Sequence, residues 1–396
     1  MKLIDSLVSQ ADFFTTIRRD LHAHPELFFE EFRTAEIVAN TLEQWGIEVY
    51  RKIGKTGVVG VLRSGNGGRS IGLRADMDAL PVTENNTFAH HSVYPGKMHA
   101  CGHDGHTAML LAGAWYLSQH RQFNGTVNFI FQPAEECGGG AEAMMADGLF
   151  ERFPCEAIFA LHNWPGFKVG EFAVKSGPIM GSITTFEIQV IGKSVHAAMP
   201  HLGIDPVLVA SHIVTALQSL VSRSLDPLDT AVVSVTRINA GEVVNVIPDQ
   251  ATMHGTIRAF KTNVVEDIEA GVRRIADHVA HAFGATTNIT FEYGYPPTVN
   301  DPEQSAFAAT VLDDIVGEEN VLRVHEASMA GEDFSYMLQK VPGAYIWIGN
   351  GDGSHRLAGH GIGNCMLHNS SYDFNDQLLC LGGSFWARLV ERFLTA

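Results

Sequence analysis

The sequence predicts an α/β fold interrupted by a smaller ferredoxin-like insert. Three observations predict it. Apolar strands alternate with helices over residues 1–180, the order changes to β-α-β-β-α-β over 181–294, and α/β character returns over 295–396. With 396 residues, 45% of them apolar, the chain can bury roughly two to three domain cores. The expected division is therefore 1–180 plus 295–396 as one domain, with 181–294 inserted as a lid or dimerisation domain.

Each element follows from its pattern. Amphipathic stretches predict helices over about Leu7–His22 and Phe32–Trp45, with Gly46 as a C-terminal stop. Apolar runs predict strands at Gly57–Leu62, Ser70–Ala75, Thr126–Phe131 and Ala157–Leu161, with a helix over Thr107–His120 between the second and third. In the insert, strands are expected at Thr184–Ile191, Thr230–Ile238, Ala251–Phe260 and Asn288–Tyr293. Helices are expected at Pro206–Val221 and Val264–Phe283, where apolar residues recur with helical spacing.

Composition excludes some functions. The formal charge is −17 and no Lys/Arg cluster occurs, so nucleic acid is a poor partner. No apolar run approaches the roughly 18 residues of a membrane span. Asp5 and Asp12 interrupt the stretch a signal peptide would need. Five scattered cysteines form no disulfide framework and fit a cytoplasmic location.

Chemistry concentrates at predicted strand ends. Met98–His106 crowds Cys101, His103 and His106 into nine residues just before a helix. Glu135 and Glu136 follow the strand that ends near Phe131, His162 follows Leu161, and Asp76 and Asp78 follow Ala75. Ligands of open α/β sheets bind at the carboxyl ends of strands. Acidic and imidazole groups delivered to one rim are therefore candidate metal ligands. His368 is a further, isolated histidine.

These residues lie in nine ordered blocks, among them GLRADMDALP (72–81), MHACGHDGHTAML (98–110), FIFQPAEE (129–136), ALHNWPG (160–166), HAAMPH (196–201), NVIPDQATMHGTIR (245–258) and LHNSSYDFND (367–376). The chain resembles, over nearly its whole length, the metallo-amidohydrolase family of hippurate hydrolase, bacterial aminoacylase and indole-acetyl-amino-acid hydrolase. The resemblance implies a metallopeptidase-like catalytic domain holding two divalent ions (Zn, Mn, Co or Ni) on Cys101, His103, Glu136, His162 and His368. It implies Glu135 as general base and Asp78 as the aspartate that orients a ligand. The wider superfamily has His-x-Asp where this chain has Asp76-Met77-Asp78, so Cys101 is expected to take part in binding, as a bridge.

The resemblance further implies that His196 stabilises the oxyanion. It assigns Asn245, Arg258 and, less directly, His201 to the substrate's α-carboxylate, which suits an Arg fork. The implied substrate is a small N-acyl amino acid, and a homodimer or homotetramer is expected. A dipeptidase or carboxypeptidase of the same superfamily, or a non-catalytic metal-binding relative, stays open, as does the acyl group.

Overall fold

The computed structural model describes residues 1–356 and 358–395. The chain divides into two compact units. The first comprises Met1–Gly177, Val299–Glu326 and Asp333–Ala396, and the second Pro178–Thr298 with Ala327–Glu332.

The first unit is built on an eight-stranded sheet. In chain order its strands are β1 (Glu48–Ile53), β2 (Gly57–Ser64), β3 (Ser70–Asp76), β4 (Gly125–Gln132), β5 (Ala157–Pro165) and β6 (Phe172–Ala173). The second unit then contributes β7 to β10, and β11 (Val321–Leu322) and β12 (Gly343–Gly351) complete the first sheet. Their spatial order is β1-β2-β4-β3-β5-β12-β6-β11. The central strands β4, β3, β5 and β12 run parallel, whereas β1 and β2 add antiparallel at one edge. Every residue of β3 is buried, which explains its continuous rather than alternating apolar character.

Helices α1 (Ala11–Ala23), α2 (Phe32–Gln44), α3 (His103–Gln119), α6 (Pro302–Val316) and α7 (Leu378–Leu394) belong to this unit. Its core joins Leu110, Leu111 and Leu117 of α3 to Leu73, Phe129 and Phe159 of the sheet and to Phe385 and Trp386 of α7. The single opening helix expected over Leu7–His22 is broken at Gln10 into Asp5–Ser9 and α1. Helix α3 begins at His103, four residues before the expected Thr107. Its entry lies in a loop whose Gly and His content conceals helical periodicity.

The second unit is a four-stranded antiparallel sheet of β7 (Thr184–Ile191), β8 (Ala231–Ala240), β9 (Gln250–Ala259) and β10 (Thr286–Tyr293), in the order β8-β9-β7-β10. Helices α4 (Pro206–Ser219) and α5 (Thr262–Ala282) bury Ile213, Leu217, Ile268 and Val272 against Ile188, Met253 and Ile257. Asp205 caps α4 by accepting from Val207 N–H at 2.9 Å. Among the described residues no helix is long and apolar enough to cross a membrane.

Candidate metal centre

The carboxyl ends of β3, β4 and β5 and the first turn of α3 bring the candidate ligands of the first unit together. Ligand atoms of Cys101, Glu136 and His368 lie within 4.8 Å of one another. The same holds for His103, Glu135 and Glu136, and for Asp76, His103, His106 and His162. Cys101 Sγ is 3.5 Å from His162 Nε2, and His368 Nε2 is 3.3 Å from Glu136 Oε1. All five residues expected to bind metal therefore gather in one pocket, with Glu136 shared by two of these groups.

Local backbone explains the arrangement. Gly102, between Cys101 and His103, has φ +91°, and a Cβ there would come 2.4 Å from Asn163 Nδ2. Only glycine fits both the torsion and the space. Asn163 Nδ2 donates to the Cys101 carbonyl at 2.6 Å, and Tyr372 Oη donates to Asn163 Oδ1. His368 takes φ +61° while its N–H donates to the Ala100 carbonyl at 2.8 Å, which ties the C-terminal segment to the Cys101 loop.

The imidazoles are oriented through their far nitrogens. His103 Nδ1 lies 3.2 Å from Asp78 Oδ1, and His162 Nδ1 lies 2.7 Å from the Asn163 carbonyl. With the proton on Nδ1 in each ring, Nε2 is the nitrogen that would offer a lone pair to a metal. Asp78 also accepts the Glu136 N–H at 3.0 Å through Oδ2, so one carboxylate fixes two candidate ligands.

The donor set fits a pair of divalent cations. His103 Nε2 is buried without a hydrogen-bond partner, although buried polar atoms are ordinarily satisfied. Burial, reinforced by Glu136, Glu135 and Asp76, pushes the Cys101 thiol well above its ordinary range. A thiol so placed ionises only with a cation beside it. Thiolate and imidazole suit zinc, and the carboxylates also accommodate manganese, cobalt or nickel.

The structure gives His106 and Asp76, both named from the sequence, a bracing role and adds contributors that sequence reasoning missed. His106 sits one turn beyond His103 on α3, but both its nitrogens are engaged. Nδ1 lies 2.6 Å from Asp76 Oδ1, and Nε2 accepts from Asn163 N–H at 2.9 Å. It braces the pocket rather than offering a free lone pair. Asp76 is held in turn by Arg74 Nη1 at 2.7 Å, and Arg74 reaches Gln132 at 2.9 Å and Asp333 at 3.2 Å. The i, i+3 spacing of His103 and His106 was the available signal. Nothing local announces Arg74 or Asn163.

Behind His103, Asp104 accepts from His22 at 2.9 Å and pairs with Arg18 at 3.5 Å. Arg18 also donates to Asp373 Oδ1 at 2.5 Å and pairs with Asp376 at 3.1 Å. Burial disfavours charge on His22, but Asp104 and Glu84 outweigh it and hold the imidazole up at about 10.

The Glu135-Glu136 segment is a turn, not the extended piece that would send neighbouring side chains to opposite sides. Ala134 has φ +53° and opens it. The turn, rather than strand alternation, sets where the two glutamates point.

In the second unit, His196 and Asn245 are neighbours on a short strand pair. Val246 is in register with His196, and Ala197 N–H donates to the Asn245 carbonyl at 2.9 Å. His201 lies in the exposed turn Pro200–Leu202. Arg258, on β9, donates to Thr256 Oγ1 at 3.1 Å and lines a surface hollow of about 350 Å³ with Glu187, His254 and Glu292. Among the described residues no side-chain hydrogen bond joins His196, His201, Asn245 and Arg258 to one another.

Comparison with known proteins identifies the family. The family model "Peptidase family M20/M25/M40" matches residues 72–392. A hippurate hydrolase of Campylobacter jejuni is 42% identical over 394 residues, with all of both chains covered. An N-acetylcysteine deacetylase of Bacillus subtilis is 38% identical, covering 94% of this chain and 95% of the relative. Among solved structures, a dinuclear metal-binding peptidase of the M20 family from Bacillus subtilis superposes with a TM-score of 0.83 at 34% identity, covering 98% of this chain and 99% of that one. The chain is therefore a hydrolase of the peptidase family M20/M25/M40.

Proposed function

We propose that this hydrolase cleaves the amide bond of small N-acyl amino acids, of the hippurate or N-acetyl type, with Glu135 as general base. One observation carries the reading: Cys101, His103, Glu136, His162 and His368 converge on one pocket, and a second buried carboxylate, Glu135, lies beside them. The names of the two relatives, a hippurate hydrolase and a deacetylase of N-acetylcysteine, support this substrate class.

When bound, a pair of divalent ions polarises the scissile carbonyl and makes water acidic enough to attack near neutral pH. The five residues would hold the ions, and Asp78 would keep His103 in the right tautomer. Glu135 takes the proton of the attacking water as the new carbon–oxygen bond forms. It then delivers that proton to the amide nitrogen as the carbon–nitrogen bond breaks, because the amine cannot leave as an anion. His196 donates to the oxyanion. Arg258, with Asn245 and His201, holds the free α-carboxylate, for which a guanidinium fork is suited. The reading extends to a homodimer or homotetramer in the cytoplasm.

The test is Glu135→Gln, assayed on hippurate and N-acetyl amino acids together with bound metal. Turnover should fall by about 10²- to 10⁴-fold with metal content unchanged. Full activity in that variant would end the mechanism.

A further inference from the structure

Two non-glycine residues with left-handed backbone meet at one buried carboxylate. Phe29 has φ +58° and Ala134 φ +53°. Such torsions are disfavoured for any residue with a Cβ and persist where the surroundings hold them. The N–H groups of both residues donate to the same atom, Glu31 Oε1, each at 2.9 Å. Glu31 Oε2 accepts from Thr56 Oγ1 at 2.5 Å. Glu31 is completely buried and stands directly before α2.

The same neighbourhood clamps the loop from above. A Cβ at Gly138 would come 2.9 Å from Phe29 Cε2, and Lys55 Nζ sits 3.7 Å from the centre of that ring. Ala134 immediately precedes Glu135. The peptide after Glu135 is held separately, through Glu136 N–H on Asp78. Glu135 thus lies between the Pro133–Ala134 and Glu135–Glu136 peptide groups, each fixed by a different buried carboxylate.

We propose that Glu31 is a positioning residue: by accepting the Ala134 N–H it holds the left-handed turn that aims Glu135 at the reacting bond. The proposal rests on reading Glu135 as the base. Glu31 acts through the peptide and touches no reacting atom. Its task needs an acceptor rather than a charge. Consistent with this, burial, with Asp78 nearby, raises the Glu31 carboxyl to about 7. An amide with Oε1 in the same place keeps both N–H bonds, whereas a leucine of similar bulk keeps neither.

The experiment compares Glu31→Gln, Glu31→Leu and Ala134→Gly, alone and combined, on hippurate. Glu31→Leu should lower kcat about 10- to 100-fold with KM changed less than about threefold, as expected for a misplaced catalytic group. Its metal content should match wild type, since Asp78 still holds Glu136. Glu31→Gln should retain kcat within about threefold. Glycine takes positive φ freely, so adding Ala134→Gly to Glu31→Leu should recover kcat at least about fivefold. The same addition should raise the Tm of the metal-stripped protein more than Ala134→Gly raises that of wild type.

Equal losses in the Glu31→Gln and Glu31→Leu variants would overturn the proposal. So would purely additive effects of Glu31→Leu and Ala134→Gly on both kcat and Tm. If Glu31→Leu does not fold, Thr56→Val takes its place. That change should lower kcat about threefold to tenfold at constant KM, and an unchanged kcat would overturn the proposal. Glu135→Gln is assayed alongside. Activity there defeats the base assignment, whereas an inactive Glu135→Gln beside a fully active Glu31→Leu defeats the Glu31 proposal alone.

Discussion

The rim of the large sheet and the short strand pair of the insert carry the same residue types under opposite conditions. His103 and His162 are buried, and each has its far nitrogen engaged by a residue distant in sequence or by the strand end itself. His196 and His201 are exposed, and the contact of His196 Nδ1, with Ala198 N–H at 3.0 Å, is local. The difference separates two ways of placing an imidazole. A buried imidazole is preorganised by the fold and cannot be changed without disturbing it. An exposed one is free to meet a ligand and is nearly independent of stability.

Breaking the buried side should have the largest effect. Arg18 holds Asp373, Asp376 and Asp104 together behind His103. Arg18→Met removes the buried guanidinium that Asp373 pairs with, although Asp104 keeps His22 and Asp376 keeps Arg19, and should destabilise the protein by about 3–5 kcal/mol. Urea unfolding of the metal-free protein measures this, and a loss below about 1 kcal/mol would show the cluster to be dispensable.

The exposed side should respond in the opposite sense. His196→Ala should cut kcat by about 10²- to 10³-fold, roughly 2.7–4 kcal/mol of barrier, if it removes an oxyanion donor. Its unfolding free energy should stay within about 0.5 kcal/mol of wild type. Wild-type kcat would remove the insert from the chemistry.

The smallest effect sharpens the comparison through pH. The Glu31 carboxyl is raised from 4.5 to about 7, first by burial. The folded state therefore binds more protons than the unfolded state between those values, and stability from this group falls as pH rises through that window. Below 4.5 both states are protonated, and above 7 both are ionised. Wild type minus Glu31→Gln should thus show a stability difference that declines between the two values and then levels. A difference flat with pH in metal-stripped protein would contradict the shift.

Much of the rim was legible because its residues are tied to strand ends. A buried strand announces itself by a continuous apolar run, and the polar residues after that run stand at the rim: Asp76 ends β3, Glu135 follows β4, and His162 lies within β5, which runs on to Pro165 rather than ending at Leu161. His106, Arg74 and Asn163 were not legible in the same way. Their roles depend on partners such as His106 for Asn163, 57 positions away, and Asp333 for Arg74, 259 positions away. Nothing in the sequence marks Glu31, which the fold buries against Thr56 and Ala134. The onset of α3 was also hidden, because its first turn is chosen by burial of His103 and His106 rather than by apolar spacing.

By itself the sequence determined the α/β alternation, the change of pattern over the insert and the residue types available for chemistry. These are written in periodicity and in residue identity, which act over a few neighbours. The tertiary structure alone decided which nitrogen of each histidine faces the pocket, which acids brace it, and why Ala134 holds a torsion that its own side chain disfavours. Such choices depend on groups that only folding brings within hydrogen-bond reach.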